Sequence, residues 1–331
     1  MSLTLALAFV TLSAATPSRS IQERAGPFTI ALGGDLLLAR GVARRAEAEG
    51  WKAVLAPLRE TLGGADASLI NLESPLGRCM SAGSQQRPCL CGPPEAAEQL
   101  AAAGITAVSV ANNHALDGGF PGLTLTVDRI GASGVVVLGS RAGRSGEITA
   151  ERLGPIVVLS ANLSRPAWPP GRANPIPPPA DVAAHVRDAR ISASNTPILV
   201  LLHGGREMDP SPSSFELGYA RAAVAAGAAA VVFHGAHVVH PLIEISGVPV
   251  HLGVGNVLFD QHDPRAAQGQ VVVLRFRPGH PAEVMSVRCV DTLTGQLRAC
   301  GSKREAPAGS EPPLIDRRGR KLPPFAPAAG R

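Results

Sequence analysis

Apolar residues in this chain come in short unbroken bursts, each closed by a polar residue, with helical patterns filling the intervals. Phe28 to Leu32 is one burst, followed by Gly33, Gly34 and Asp35; Ser68 to Leu72 ends at Glu73; Ala107 to Ala111 ends at Asn112, Asn113 and His114. Runs like these suit strands buried on both faces of a parallel sheet. Between them Val42 to Leu62 reads as helical. Gly92 to Gly104 reads as a helix opened by prolines and closed by glycine. GLTLTVDRIGASG then reads as a helix and VVVLG as a strand, so the first half alternates βαβα and predicts an α/β fold.

The second half continues the alternation. Pro155 to Ala161 reads as a strand, Asp181 to Ala193 as a helix, PILVLLHGGRE as a strand ended by His203 and Glu207, and Phe215 to Ala226 as a helix. AAAVVFHGAH is a strand ended by His234 and His237, and VPVHLGVGNVLFDQ is hairpin-like, carrying His251, Asn256 and Asp260. From Gly269, GQVVVLRFRP and AEVMSVRCV alternate like antiparallel strands. The proline-rich RPAWPPGRANPIPPP cannot sit in a core and is either a loop over a site or a stiff spacer.

These patterns divide the chain into a leader at 1–20, a folded body at 27–300 and a Pro/Gly-rich basic tail at 301–331, expected to be disordered. LTLALAFVTLSAAT is an apolar run of about thirteen residues, too short to span a bilayer and suited to a signal-peptide core, with SAA resembling a cleavage site. Of the formal net charge of +5, the tail from Gly301 carries +4, so the body is close to neutral. With aromatics at only 3% there are few stacking platforms, which argues against a nucleic-acid partner. The five cysteines form two clusters: Cys289 and Cys300 flank a hairpin-like VDTLTGQLRA, and Cys79 is placed to pair with Cys89 or Cys91. Disulfides fit an oxidising, extracytoplasmic compartment, whether periplasm, cell envelope or medium.

Five predicted strands thus end in metal-competent residues: Asp35, Glu73, Asn113 with His114, His203, and His234 with His237. Open α/β sheets gather their chemistry at such carboxyl ends. Two carboxylates, an amide oxygen and several imidazoles suit Zn, Mn or Fe and are too rich in histidine for Ca or Mg. Asn112, Glu207 and Asn256 stand close enough in sequence to serve as substrate-binding residues.

The blocks GGDLLLAR, NLESPLG, ANNHALDGG, HGGRE, GAAAVVFHGAHVVHP and GVGNVLFDQ resemble, in order and spacing, those of the CapA capsule-synthesis (poly-γ-glutamate biosynthesis) family, over roughly Phe28 to Arg277. The resemblance implies a metallophosphoesterase-type four-layer αββα sandwich holding two divalent metal ions. Asp35 and His237 would bind the first, Asn113 and His203 the second, and Glu73 both. His114 would be the general acid, and the substrate a phosphoester or an anionic envelope polymer, handled alone or with a membrane polymer synthase. The chain departs from the family at Gly204, where a Trp is usual, and at Gly235, where the first His of an H-x-H pair is usual. The second metal therefore lacks an imidazole unless neighbouring His234 replaces it, and Gly235→His would be expected to restore it. A non-hydrolytic binding protein on the same fold is the other reading.

Overall fold

The computed structural model describes residues 26–80, 88–140, 147–164 and 176–300. The signal-peptide segment, the basic tail and most of the proline-rich stretch lie outside the described residues. The first half forms β1 (Phe28–Leu36), α1 (Arg40–Glu49), α2 (Trp51–Thr61), β2 (Ala67–Leu72), α3 (Ala97–Leu100), β3 (Ala107–Ser109), α4 (Gly119–Ala132) and β4 (Val136–Leu138). A second group follows: β5 (Ile148–Leu153), β6 (Ile156–Asn162), α5 (Pro179–Ser192), β7 (Ile198–His203), α6 (Ser214–Ala226), β8 (Ala230–His234), β9 (Leu242–Ile245) and β10 (Val248–His251). The chain then returns to the first sheet with β11 (Asn256–Leu258), β12 (Gln268–Phe276), β13 (Glu283–Asp291) and β14 (Leu297–Arg298). One sheet runs β14-β13-β12-β1-β2-β3-β4 with β11 also on β1, and the other runs β5-β6-β7-β8-β10-β9.

Side-chain alternation along the strands stacks four layers. On β7, Ile198, Val200 and Leu202 pack under α5 and α6, while Leu199 and Leu201 face the other sheet. On β2, Ile70 and Leu72 pack under the helices of the first half, while Ala67 and Leu69 join the inter-sheet layer. Both faces of both sheets are thus covered by apolar side chains, which is why the strands read as unbroken apolar runs. The four-layer αββα sandwich is the observed architecture. α6 shows how local sequence sets an end: Ser213 and Glu216 form a capping box at its start, and Gly227 closes it with φ 103°.

The elements differ from expectation in several places. The helical stretch 42–62 is two helices, because Gly50 turns out of the helix with φ 84°. The helix expected over 92–104 shrinks to a 3-10 turn, Pro94–Ala96, and the single turn of α3. The hairpin expected over 248–261 does not form: β10 pairs with β9 and β8, whereas β11 crosses to the other sheet and lies parallel to β1. β5, an antiparallel edge strand paired along β6, carries no strong alternation and was not anticipated.

β1 also runs further than expected, through Asp35 to Leu36. Leu32 pairs with Leu69 but Asp35 pairs with Asn71, so β1 carries one extra residue there. This bulge re-aims Asp35 onto the face that Asn71 shares, a use bulges often have beside functional sites. Gly34 permits the crossing of β11, since a Cβ on it would lie 2.0 Å from the Gly255 carbonyl oxygen.

Two disulfides, Cys79–Cys89 and Cys289–Cys300, leave Cys91 as the free thiol. Protein recovered from an oxidising compartment should therefore show one alkylated cysteine, Cys91, when labelled under denaturing conditions without reduction and mapped by mass spectrometry. Label on both Cys289 and Cys300 would remove the clasp. Replacing either of those two should cost about 3 kcal/mol in a denaturant titration, as expected for a loop of this size.

Candidate metal centre

The carboxyl ends of β1, β2, β7 and β8 and the loop after β3 meet between the sheets. Asp35 is fully buried, and Asn71 donates to its Oδ1 at 2.8 Å while the Gly235 N–H donates to its Oδ2 at 3.2 Å. Glu73, two residues beyond Asn71 and on the same face, is held at the strand end by its own N–H bonded to the Leu36 carbonyl. His237 reaches in from the loop after β8 with φ 59°, a conformation rare for a residue with a side chain. Its Nδ1 lies 3.3 Å from Asp35 Oδ2 and 3.7 Å from Glu73 Oε2. His203, at the end of β7, places Nε2 2.8 Å from Asn113 Oδ1 and 3.6 Å from Glu73 Oε1. Residues separated by as many as 202 positions thus share one buried cluster.

The charges are under tension. Burial alone would raise Asp35, but the hydrogen bond and charge of His237 outweigh it and hold that carboxyl well below its usual range. Burial raises Glu73, His237 pulls it back, and the charge on Asp35 adds to the rise, leaving Glu73 pushed up to about 7. Burial opposes the charged form of His237, but Glu73 and Asp35 outweigh it and push it up to about 10. His203 is driven by burial down to about 3 and is a neutral imidazole. Two carboxylates packed this closely in a dry site call for a cation.

The donor set fits one. Ligand atoms of Asp35, Glu73 and His237 lie within 4.8 Å of one another, all three residues are buried, and Glu73 Oε2 has no hydrogen-bond partner among the described residues. A buried carboxylate oxygen without a donor is rare enough to need an explanation, and a bound ion supplies one. Glu73, Asn113 and His203 form an adjoining second group. The three sulfurs of Cys79, Cys89 and Cys91 also cluster, but two of them are spent in a disulfide.

Other residues singled out from the sequence have different tasks. Asn112 donates to Asn71 Oδ1 and the Leu72 carbonyl and accepts from the His114 N–H, so both of its N–H donors are engaged within the chain. Asn256, wholly buried and in register with Asp35, braces His237 Nδ1 at 2.8 Å and donates to Gln261. His234 faces the same side as His203, and its Nε2 donates to the Gly33 carbonyl at 3.0 Å, which leaves Nδ1 as the nitrogen with a lone pair. Glu207 is exposed, though its charge reaches Glu73.

His114 is buried beside the cluster, its Nδ1 2.8 Å from Asp117 Oδ2. Burial opposes its charge, but the Asp117 hydrogen bond and the charges of Glu73 and Asp117 outweigh that and raise its pKa above the ordinary imidazole value. Asp117 is fixed in turn by the Leu90 N–H at 2.8 Å. The sequence reading did not give Asp117 or Asn71 these roles. Asn71 had a signal: it occupies the parity of Ala67 and Leu69, an inter-sheet position that should be apolar.

A sequence profile of the family described as Bacterial capsule synthesis protein PGA_cap matches residues 29–261. The PGA biosynthesis protein CapA of Bacillus subtilis is 25% identical over 174 residues, covering 50% of this chain and 46% of that protein. A probable polyglutamine synthesis accessory protein of Mycobacterium tuberculosis is 29% identical over 229 residues, covering 63% of this chain and 59% of its own length. The chain thus matches about half the length of these relatives. Among solved structures, the NAD nucleotidase of Haemophilus influenzae superposes with a TM-score of 0.46 at 11% identity, covering 91% of this chain and 54% of that one.

The two departures from the family pattern are accommodated sterically. A Cβ on Gly204 would lie 2.9 Å from the Leu163 Cβ, so a larger residue there meets the loop after β6. At Gly235, φ is 96° and a Cβ would stand 2.9 Å from His203 Nε2. Gly235→His therefore displaces His203 instead of restoring a ligand. Gly235→Ala and Gly235→His should each lose about 1–3 kcal/mol in urea unfolding, from backbone strain, and neither should raise bound metal by elemental analysis. A rise to two ions per chain in the histidine variant at unchanged stability would show that the loop has room for the ligand.

Proposed function

Because the chain belongs to the bacterial capsule synthesis protein PGA_cap family, we propose that it acts in poly-γ-glutamate capsule synthesis through a metal-dependent, phosphoesterase-type site, outside the cytoplasm. The observation that carries the site is the buried Asp35–Glu73–His237 group with its unpartnered Glu73 oxygen. Asp35, Glu73 and His237 would hold one divalent ion, and Glu73, Asn113 and His203 a second; Mn, Zn or Fe suits the set. Bound there, such ions would supply Lewis-acid polarisation of a phosphoryl or carboxylate oxygen.

The chain's own residues do the rest. Asn71 orients Asp35 and His203 together, bonding the first and lying 3.3 Å from Nδ1 of the second. Asn112 locks Asn71 to the His114 loop. His114, whose pKa is raised by Asp117, is the group placed to give a proton to a departing oxygen. The neutral His203 and the desolvated walls keep the cluster dry, which strengthens each charge interaction within it. The disulfides support export, since such bonds persist in oxidising compartments.

One observation favours a second reading, in which the chain binds an envelope polymer or a polymer synthase without hydrolysis: Gly235 leaves the second group of ligands with a single imidazole, that of His203. The two readings part on His114→Ala. In the enzyme, turnover of a generic phosphodiester should fall about a hundredfold or more while metal content stays near that of the wild type, because His114 donates a proton and does not hold the ion. Wild-type protein that carries metal yet turns over neither phosphodiesters nor poly-γ-glutamate would give the lead to the binding reading.

A further inference from the structure

Asn162 is the last residue of β6, in register with His203 on β7, which is in register with His234 on β8. The three form a polar row across the carboxyl end of the second sheet. On β6, Val157, Leu159 and Ala161 pack toward the helices while Ile156 and Val158 face the first sheet, so Ser160 and Asn162 face the first sheet as well. Contact across the gap agrees: the Ser160 Cβ lies 3.3 Å from where a Cβ on Gly139, just after β4 of the opposite sheet, would stand.

His203 and His234 have partners; the Asn162 amide nitrogen has none. The residue is 1% exposed, its Oδ1 accepts from the Ser164 N–H at 2.9 Å, and its Nδ2 is buried with no hydrogen-bond partner among the described residues. A backbone N–H can bond only the oxygen of the amide, so Ser164 fixes which way the group points. Two N–H donors are left on the strand position next to His203. Donors admit an acceptor and repel a cation, so Asn162 is not a further metal ligand.

We propose that Asn162 binds an oxyanion oxygen of the substrate, donating from Nδ2 to a phosphoryl or carboxylate oxygen seated beside His203. The inference rests on the reading of this sheet end as a site for an anionic substrate, and it assigns Asn162 a specificity role there. A neutral amide suits either anion, so the probe decides which one is held.

Asn162→Asp is the discriminating variant. It keeps an oxygen for the Ser164 N–H and the size of the side chain but replaces the two donors with a second acceptor. Metal-supplemented full-length wild type and variant would be titrated calorimetrically with inorganic phosphate and, separately, with a short γ-linked glutamate oligomer. Unfolding midpoint and metal content would be measured on the same samples. The expected result is saturable binding of one probe by the wild type and at least about a tenfold loss in the variant, as for a hydrogen bond to a charged group. Loss toward phosphate alone identifies a phosphoryl subsite, and loss toward the oligomer alone a carboxylate subsite. Should the aspartate variant unfold or lose metal, Asn162→Ser, which also lacks the amide donors, decides by the same titration. Equal affinity in wild type and variant would overturn the assignment, an ordered water then satisfying Nδ2, and leave the functional reading intact. A wild type that binds neither probe would overturn both.

Discussion

Two carboxylates, Asp35 and Glu73, lie in the same dry space between two sheets, and the surrounding structure is arranged to keep them there. Neither is exposed to solvent beyond 1%. Left alone they would repel, and burial first, with the charge on Asp35 adding to it, raises Glu73. His237 sits between them, and it does so in a backbone conformation that few side-chain-bearing residues tolerate. Asn256 and Asn71 hold the imidazole and the Asp35 carboxylate in place by neutral hydrogen bonds, which fix geometry without adding charge. Such strain persists only where the surroundings over-determine it.

The backbone serves the same end. The bulge at Gly33 and Gly34 gives β1 one residue more than β2 and so turns Asp35 onto the inter-sheet face. The close passage of Gly255 over Gly34 brings β11 alongside and sets Asn256 in register with Asp35. The route of the chain from β10 in one sheet to β11 in the other therefore joins the half of the site supplied by His203 and His237 to the half supplied by Asp35 and Glu73. On the far wall, Asn162, His203 and His234 form a polar row, and of these three the Asn162 amide nitrogen has no hydrogen-bond partner among the described residues.

Much of this was legible in the sequence. Parallel strands covered on both faces must be apolar throughout, so their ends show as abrupt polar residues, and Asp35, Glu73, Asn113, His203 and His237 all stand out in that way. Bracing residues are harder to read. Asn71 lies inside a strand, where one amide looks like a tolerated interruption until alternation shows which face it is on, whereas Asn162 ends its strand without any neighbouring histidine or carboxylate to draw notice. Asn112, Asn256 and His234 have the same chemistry as ligands, and only hydrogen-bond geometry reveals the partners that hold them: Asn71, His237 and the Gly33 carbonyl. The bulge depends on pairing across strands, and the crowding at Gly235 on the His203 ring; neither has a local sequence pattern. The hairpin expected at 248–261 failed because two short apolar runs separated by glycines look alike whether they pair with each other or part to different sheets.

Calorimetric titration of Mn2+ or Zn2+ into chelator-treated protein tests the buried carboxylate pair most directly, with Glu73→Gln as the comparison because it keeps the shape and removes the charge. The expected result is saturable binding of at least one ion per chain in the wild type and loss of that binding in a Glu73→Gln protein that still unfolds cooperatively. A folded wild type that takes up no ion, or a glutamine variant that binds as the wild type does, would contradict the assignment of this cluster as a metal centre.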